Sequence, residues 1–159
     1  AFNEKLKNEK IFELPNGPRE GVFTNEIGKA RFTTNALSNH ELEEDELLMM
    51  TIRSHDQFNT TIYGMDDRYR GIYGIRKVVL MNATDIQNLG LDTKSSVSIY
   101  NDYDGKRRHV KDFTIVPYDI PKGCVATYFP ECNPLIPISQ TARQSNTPAS
   151  KSVKVRISQ

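Results

Sequence analysis

The chain has 159 residues, of which 26% are charged and 37% hydrophobic, and its formal net charge is +1 at pH 7. These values are ordinary for one globular domain with a buried core, and the near-neutral charge argues against nucleic-acid binding by bulk electrostatics. No apolar run reaches the roughly 20 residues that a membrane-spanning helix needs, and the start lacks the apolar core of a signal peptide. We therefore expect a cytoplasmic protein without a membrane span.

The chain begins with a polar, lysine-rich stretch and without an initial Met. Residues 1–20 are predicted to be a linker or lead-in segment, and residues 21–159 are predicted to form the functional domain. Because this start resembles a cut end, we expect the chain to be a fragment of something larger.

The first predicted structure is a hairpin, with short strands at residues 22–25 and 30–33 around a turn that contains Gly28. An acidic run at residues 41–46 follows His40. Carboxylates beside a histidine can form a metal site, but these lie along one continuous run. A solvated loop or short helix is therefore the preferred interpretation.

Apolar or alternating runs predict the remaining strands. They lie at residues 47–51, 77–81, 96–100, 108–116, 124–129 and 153–157. Asn82 as an N-cap and Gly90 as a terminator predict one short helix after the second of these strands. Long loops are expected at residues 63–74 and 130–150. Short strands, one or two short helices and two long loops indicate a mainly β, closed barrel rather than a βαβ sheet.

The two cysteines, Cys124 and Cys132, are not in a CxxC spacing and have no histidine nearby in the sequence. They supply too few ligands for a structural zinc or an iron–sulfur cluster. Two reduced, partly buried thiols are the preferred interpretation over a disulfide or a metal ligand.

A dense row of hydrogen-bonding side chains directly follows the buried strand at residues 47–51, where a ligand would be held at the strand's end. No nucleophile–base pair, carboxylate dyad or phosphate-binding loop can be assembled around this row, so we expect no catalytic residue in the chain. The candidate ligand-binding residues of the row are Thr51, Arg53, Ser54, His55, Asp56, Gln57 and Thr60.

Several stretches together resemble the molybdopterin-dinucleotide-binding C-terminal domain of the dimethyl-sulfoxide-reductase family of molybdoenzymes. The most similar branch is that of the formate dehydrogenase alpha subunits and related oxidoreductases. The resemblance implies a double-psi β-barrel that is the last domain of a much longer chain. The stretches that carry it are residues 28–32, 47–60, 79–91, 133–135 and 147–155.

The chain departs from the family pattern at a few positions. Many members have a glycine where Ile52 stands and a histidine where Asn59 stands. An acidic–aromatic pair is often found where this chain has Ala149 and Ser150. The first two departures affect how the backbone approaches a cofactor.

The cofactor that the resemblance implies is bis-molybdopterin guanine dinucleotide, with its molybdenum held by other domains and any iron–sulfur cluster confined to the rest of the parent chain. Its pyrophosphates need hydrogen-bond donors, and the candidates for that role are Thr51, Arg53, Ser54 and Thr60. Guanine presents adjacent N–H donors, which a carboxylate accepts well, and the candidate readers are Asp56 and its amide partner Gln57.

Three further residues complete the expected site. His55 can donate to a phosphate or pterin oxygen. Asn133 and Lys151 match the family's late Asn and Lys, which the resemblance implies contact a second polar face of the cofactor. For any one of these residues, a solvated loop side chain is the alternative.

The resemblance implies a cofactor-binding domain of a molybdenum-dependent oxidoreductase of the formate dehydrogenase type, not catalytic by itself. Its partners would be the preceding domains of the same polypeptide and a small-molecule substrate at the parent's active site, and no nucleic acid is expected. The alternative is a free-standing β-barrel module for nucleotides or single-stranded nucleic acid, with Tyr and Arg of residues 63–73 stacking on bases.

Overall fold

The computed structural model of the chain describes residues 2–9, 11–37, 39–55, 57 and 64–159. The chain divides into two units, residues 1–39 and 40–159, which are treated separately. This division falls later than residue 21, the predicted start of the functional domain. The assignment of residues 21–39 to the functional domain stays a prediction.

In the first unit, helix α1 spans Phe2–Asn8. The hairpin predicted for residues 22–33 is wrong, because turns and bends without strand pairing occupy this stretch. The turn itself is present, with the Gly28 amide donating to the Asn25 carbonyl at 3.1 Å and Gly28 at φ +61°. The flanking apolar residues bury little surface, since Phe32 is 99% exposed, and without burial nothing stabilises an isolated two-stranded hairpin.

The second unit is a closed six-stranded barrel in the order β1-β5-β2-β4-β3-β6. Its parallel pairs are β1 with β5 and β2 with β4, and its other neighbours are antiparallel. This confirms the predicted mainly β, double-psi barrel. The strands are β1 Leu47–Ile52, β2 Val78–Met81, β3 Ser96–Tyr103, β4 Lys106–Pro117, β5 Cys124–Tyr128 and β6 Val153–Ser158.

Short helical elements connect the strands. Helix α2, Ala83–Asn88, begins at the predicted N-cap, where the Asn82 side chain accepts from the Thr84 amide, and Gly90 follows its end at φ +63°. A 3-10 turn at Asn133–Leu135 interrupts the long loop between β5 and β6. None of the helices in the described ranges is long and apolar enough to cross a membrane.

The barrel has an interior core and a second apolar layer outside it. Alternating residues of the strands point inward, and Met49, Val79 and Phe113 are among the fully buried side chains there. Strand β2 is buried on both faces, because Ile72 and Ile75 of the loop at residues 64–76 join the second layer. This loop is therefore packed onto the outside of β2 and β5 rather than lying free in solvent.

Candidate functional site

Three chain segments meet at one edge of the barrel. Because β1 and β5 are parallel, they end at the same edge, where the Phe129 amide donates to the Ile52 carbonyl at 2.8 Å. Strand β2 is antiparallel to β5 and therefore begins at this edge. The residues after β1, those after β5 and those before β2 are consequently neighbours in space, although they are distant in sequence.

Arg76, two residues before β2, joins these three segments and was missed by the sequence analysis. Its side chain is 4% exposed. Its guanidinium donates to the Ser54 hydroxyl at 2.7 Å and to the Gln57 side-chain oxygen at 3.3 Å. It also donates to both carboxylate oxygens of Glu131, at 2.6 and 3.2 Å, and to the Phe129 carbonyl at 3.2 Å. We call Arg76 and Glu131 the buried ion pair.

Ser54 and Gln57, two of the predicted ligand residues, contribute to this interior network. Each is 5% exposed. Gln57 also donates from its amide nitrogen to the Phe129 carbonyl at 3.2 Å, so its side chain crosses from the β1 segment to the β5 segment. Their bonds to Arg76 hold the loop after β1 in place, and their predicted contacts with a cofactor stay a prediction.

Thr51 and Lys151 are brought together across 100 residues of sequence. Thr51 is the last inward-facing residue of β1 and is 4% exposed. The Lys151 ammonium donates to the backbone carbonyl of Thr51 and lies 3.3 Å from the Thr51 hydroxyl oxygen. The Thr51 amide in turn donates to the Ser150 carbonyl at 3.0 Å. The late lysine therefore lies at the same barrel edge as the polar row, and its contact with a cofactor stays a prediction.

An open cleft of about 470 Å³ adjoins the end of β1. Its volume is within the range of small-ligand sites. Arg53 is exposed in its wall, and His55 is half-buried with its ring centroid 4.0 Å from that of Tyr69. Arg68 approaches from the rim, with its guanidinium 3.0 Å from the His55 Nε2 atom. The lining residues are Arg53, Ser54, His55, Tyr69, Arg70 and Tyr118.

Arg70 in the cleft wall is held by a buried carboxylate, Asp67, which is 1% exposed. Arg70 donates to Asp67 at 2.5 Å and to the Arg53 carbonyl at 3.2 Å, and the Tyr128 hydroxyl donates to the same Asp67 oxygen at 2.7 Å. Burial raises the pKa of Asp67, but the hydrogen bonds from Tyr128 and Arg70 and the charge of Arg70 outweigh it and keep that pKa below its ordinary value. Asp67 and Arg70 thus form an ion pair with one buried member.

Asn133 lies in a different cavity, of about 940 Å³, on the loop between β5 and β6. Lys106 and Arg108 of β4 line the same cavity, together with Pro130 and Pro148. The structure does not place Asn133 in the lining of the cleft at the end of β1. Of the predicted site residues that the structure describes, three line the cleft at the end of β1 and Asn133 lines the larger cavity, whereas Thr51, Gln57 and Lys151 line neither.

Two predicted site residues, Asp56 and Thr60, lie outside the described residues, as does Asn59.

The acidic run after His40 is a loop, as predicted. Its carboxylates pair with β6: Arg156 contacts Glu43, Asp45 and Glu46, and Lys154 lies 3.3 Å from Glu46.

Both cysteines are free thiols. Cys124 is half-buried, and Cys132 is buried with its sulfur donating to the Thr127 carbonyl at 3.8 Å. Burial raises the pKa of Cys132 to about 12, so this thiol stays protonated at neutral pH.

The donor chemistry of the cleft suits a phosphate-containing ligand. Arg53, His55 and Arg70 present cationic or hydrogen-bonding groups, and guanidinium groups match phosphate oxygens in pairs. The buried carboxylate of Asp67 is paired with Arg70. The fold and the site therefore define a β-barrel domain with a cleft, at the edge where β1 and β5 end, whose donor groups suit an anionic ligand.

Comparison with known proteins identifies that class more closely. Residues 47–154 match the family model described as "Molydopterin dinucleotide binding domain". The chain belongs to this family of molybdopterin dinucleotide-binding domains. Since the match begins at β1 and ends within β6, the family domain coincides with the barrel of the second unit.

Relatives extend the similarity over nearly the whole chain. An uncharacterized oxidoreductase of Mycobacterium tuberculosis is 44% identical over 98% of this chain and 21% of its own length. Protein YdeP of Escherichia coli K12 is 36% identical over 98% of this chain and 21% of its own length. The chain thus spans about a fifth of the length of the curated relatives that it matches.

Proposed function

We propose that this chain is the part of a cytoplasmic, molybdenum-dependent oxidoreductase of the formate dehydrogenase type that binds the guanine form of the dinucleotide cofactor. The observation that carries the proposal is the set of cationic groups at the end of β1, inside a domain of the molybdopterin dinucleotide-binding family. The oxidoreductase names of the mycobacterial relatives support the reaction class.

The chain's own residues would bind and orient the cofactor. A pyrophosphate in the cleft would accept hydrogen bonds from Arg53, His55 and Arg70. Hydrogen bonds between charged groups are stronger than those between neutral groups. Asn133 would contact a second polar face of the cofactor in the larger cavity, which Lys106 and Arg108 also line. Their contribution is positioning and charge neutralisation, because no nucleophile or general base is needed here.

When bound, the cofactor would supply the redox chemistry, the oxidation of formate to carbon dioxide with release of one proton and two electrons, and an iron–sulfur centre in the preceding domains would accept the electrons. The preceding domains and the small-molecule substrate are thus the proposed partners. The domain's hydrogen bonds would fix the cofactor relative to those domains, and small displacements of a reacting group cost rate steeply.

Purification of the full-length parent enzyme tests the proposal. We expect molybdenum and guanine nucleotide after acid hydrolysis, together with formate-dependent reduction of a viologen dye. An enzyme that contains guanine nucleotide but does not oxidise formate would refute the proposed substrate and leave the proposed cofactor standing. Tight, salt-sensitive binding of an oligonucleotide without guanine or molybdenum would refute the cofactor and favour a nucleic-acid-binding module instead.

Two single variants of the full-length enzyme test the site. Arg53→Ala removes a cation from the cleft, and Lys151→Ala removes the contact with Thr51 at the barrel edge. Both should lower guanine and molybdenum content while the far-ultraviolet circular dichroism stays unchanged. Lys94→Ala, at an exposed lysine outside the linings of both cavities, is the matched control. Normal cofactor content in both test variants would contradict these roles.

A further inference from the structure

We infer that Arg76, through its buried ion pair with Glu131, is a positioning residue that sets the spacing between the two chain segments proposed to hold the cofactor. The inference rests on the proposed function and extends it to two residues that are not themselves in the lining of either cavity. One side chain connects the loop after β1, through Ser54 and Gln57, with the loop after β5, through Glu131 and the Phe129 carbonyl.

The connection is specific because of the geometry of the guanidinium group. Its donors lie in one rigid plane, so bonds to Ser54 on one side and to both oxygens of Glu131 on the other fix the distance between the two loops. Glu131 comes two residues before Asn133, and Ser54 stands between Arg53 and His55 in sequence. A shift of the ion pair would therefore move groups in both cavities.

Burial and charge show that this role is geometric rather than electrostatic. Arg76 and the side chain of Glu131 are 4% and 14% exposed, and their opposite charges neutralise each other. The pair consequently adds no net charge to either cavity. The Arg76 guanidinium also lies 4.9 Å from the Tyr128 ring centroid, and the Tyr128 hydroxyl bonds the Asp67 carboxylate that holds Arg70 in the cleft wall. The ion pair and the wall of the first cleft thus form one continuous set of contacts.

The decisive variant replaces both members of the ion pair in the full-length enzyme. Removing only one member leaves a buried charge without its partner, which destabilises the fold and confuses the result. Arg76→Met combined with Glu131→Leu removes both charges while keeping similar volumes, a change that is often neutral for stability. Arg76→Lys keeps the charge but cannot bond Ser54 and both Glu131 oxygens at once.

We expect the double variant to fold but to unfold at a lower temperature than the wild type, because the buried Ser54 and Gln57 oxygens lose a donor. It should release guanine nucleotide about tenfold faster during dialysis, which is the lower end of the loss in metal affinity caused by removing contacts that support metal ligands. Arg76→Lys should fall between the two. Arg107→Gln is the control, because it breaks an exposed ion pair in which Arg107 makes two hydrogen bonds to Asp102. This variant should release cofactor at the wild-type rate.

The outcomes separate the two levels of the argument. A wild-type enzyme without guanine would overturn the proposed function and this inference with it. A loaded wild-type enzyme whose double variant and Arg76→Lys variant both release guanine at the rate of Arg107→Gln would overturn the inference alone. Should the double variant fail to fold, the release rate of Arg76→Lys decides, because that variant retains the paired charge.

Discussion

Replacing Tyr128 by Phe tests the contact that attaches the loop at residues 64–76 to the barrel. Tyr128 is 1% exposed, and its hydroxyl donates to the Asp67 carboxylate at 2.7 Å. The other oxygen of Asp67 is buried and has no hydrogen-bond partner among the described residues, so the carboxylate depends on Tyr128 and Arg70. Phe keeps the ring and its packing while removing the donor.

The expected loss follows from the charge of the acceptor. A hydrogen bond to a charged group contributes about 1.5–3 kcal/mol, so Tyr128→Phe should lower the free energy of unfolding by about that amount. Urea titration of the chain measures it, provided that the slope of the transition is unchanged. Tyr73→Phe, at a ring that is 64% exposed, is the control and should change stability by less than about 0.5 kcal/mol. Equal stabilities of the two variants would refute the reasoning.

The pH dependence of this contact has a definite sign. The pKa of Asp67 is lower in the folded chain than its ordinary value of 3.8. A carboxylate with a lowered pKa stabilises the fold above its unfolded pKa, and that stabilisation is lost as the pH falls through the folded pKa. The stability difference between wild type and Asp67→Asn should therefore shrink only below about pH 3.8. A difference that shrinks at neutral pH would contradict the assignment.

Two further predictions concern the barrel interior. Phe113→Ala, at a fully buried ring of β4, should lower the free energy of unfolding by about 3–5 kcal/mol, measurable by urea titration, because the cavity cannot be refilled without moving the strands. Cys132, buried and with a pKa of about 12, should react with a thiol reagent only after unfolding, whereas half-buried Cys124 should react first; equal rates in the native chain would contradict the burial of Cys132.

The strands were predictable because their signal is local. Alternation between apolar and polar residues, or a continuous apolar run, located every barrel strand to within a few residues, and the Asn82 cap located α2. The failed hairpin at residues 22–33 has the same local pattern, but most of its apolar side chains stay exposed, Phe32 at 99% above all. Pattern shows which residues are able to form a strand, and burial against a partner decides whether they do.

The site was only partly predictable because its supporting contacts join distant residues. An arginine just before an apolar strand, such as Arg76, ordinarily has a solvent-exposed side chain. Its partners Ser54 and Glu131 are 22 and 55 residues away in the sequence. One signal was available: Glu131 is the only acidic side chain after Asp119. A carboxylate is costly to bury unless a cation pairs with it.

The described residues of the polar row that follow Ile52 have two kinds of surroundings. Arg53 and His55 are accessible from the cleft, whereas Ser54 and Gln57 are almost fully buried and bonded to Arg76. A row of donors that all faced a ligand would have nothing to hold its backbone in position. In the proposed function, the bonds of Ser54 and Gln57 to Arg76 would keep the exposed donors oriented before the cofactor binds, so that binding would cost less conformational entropy.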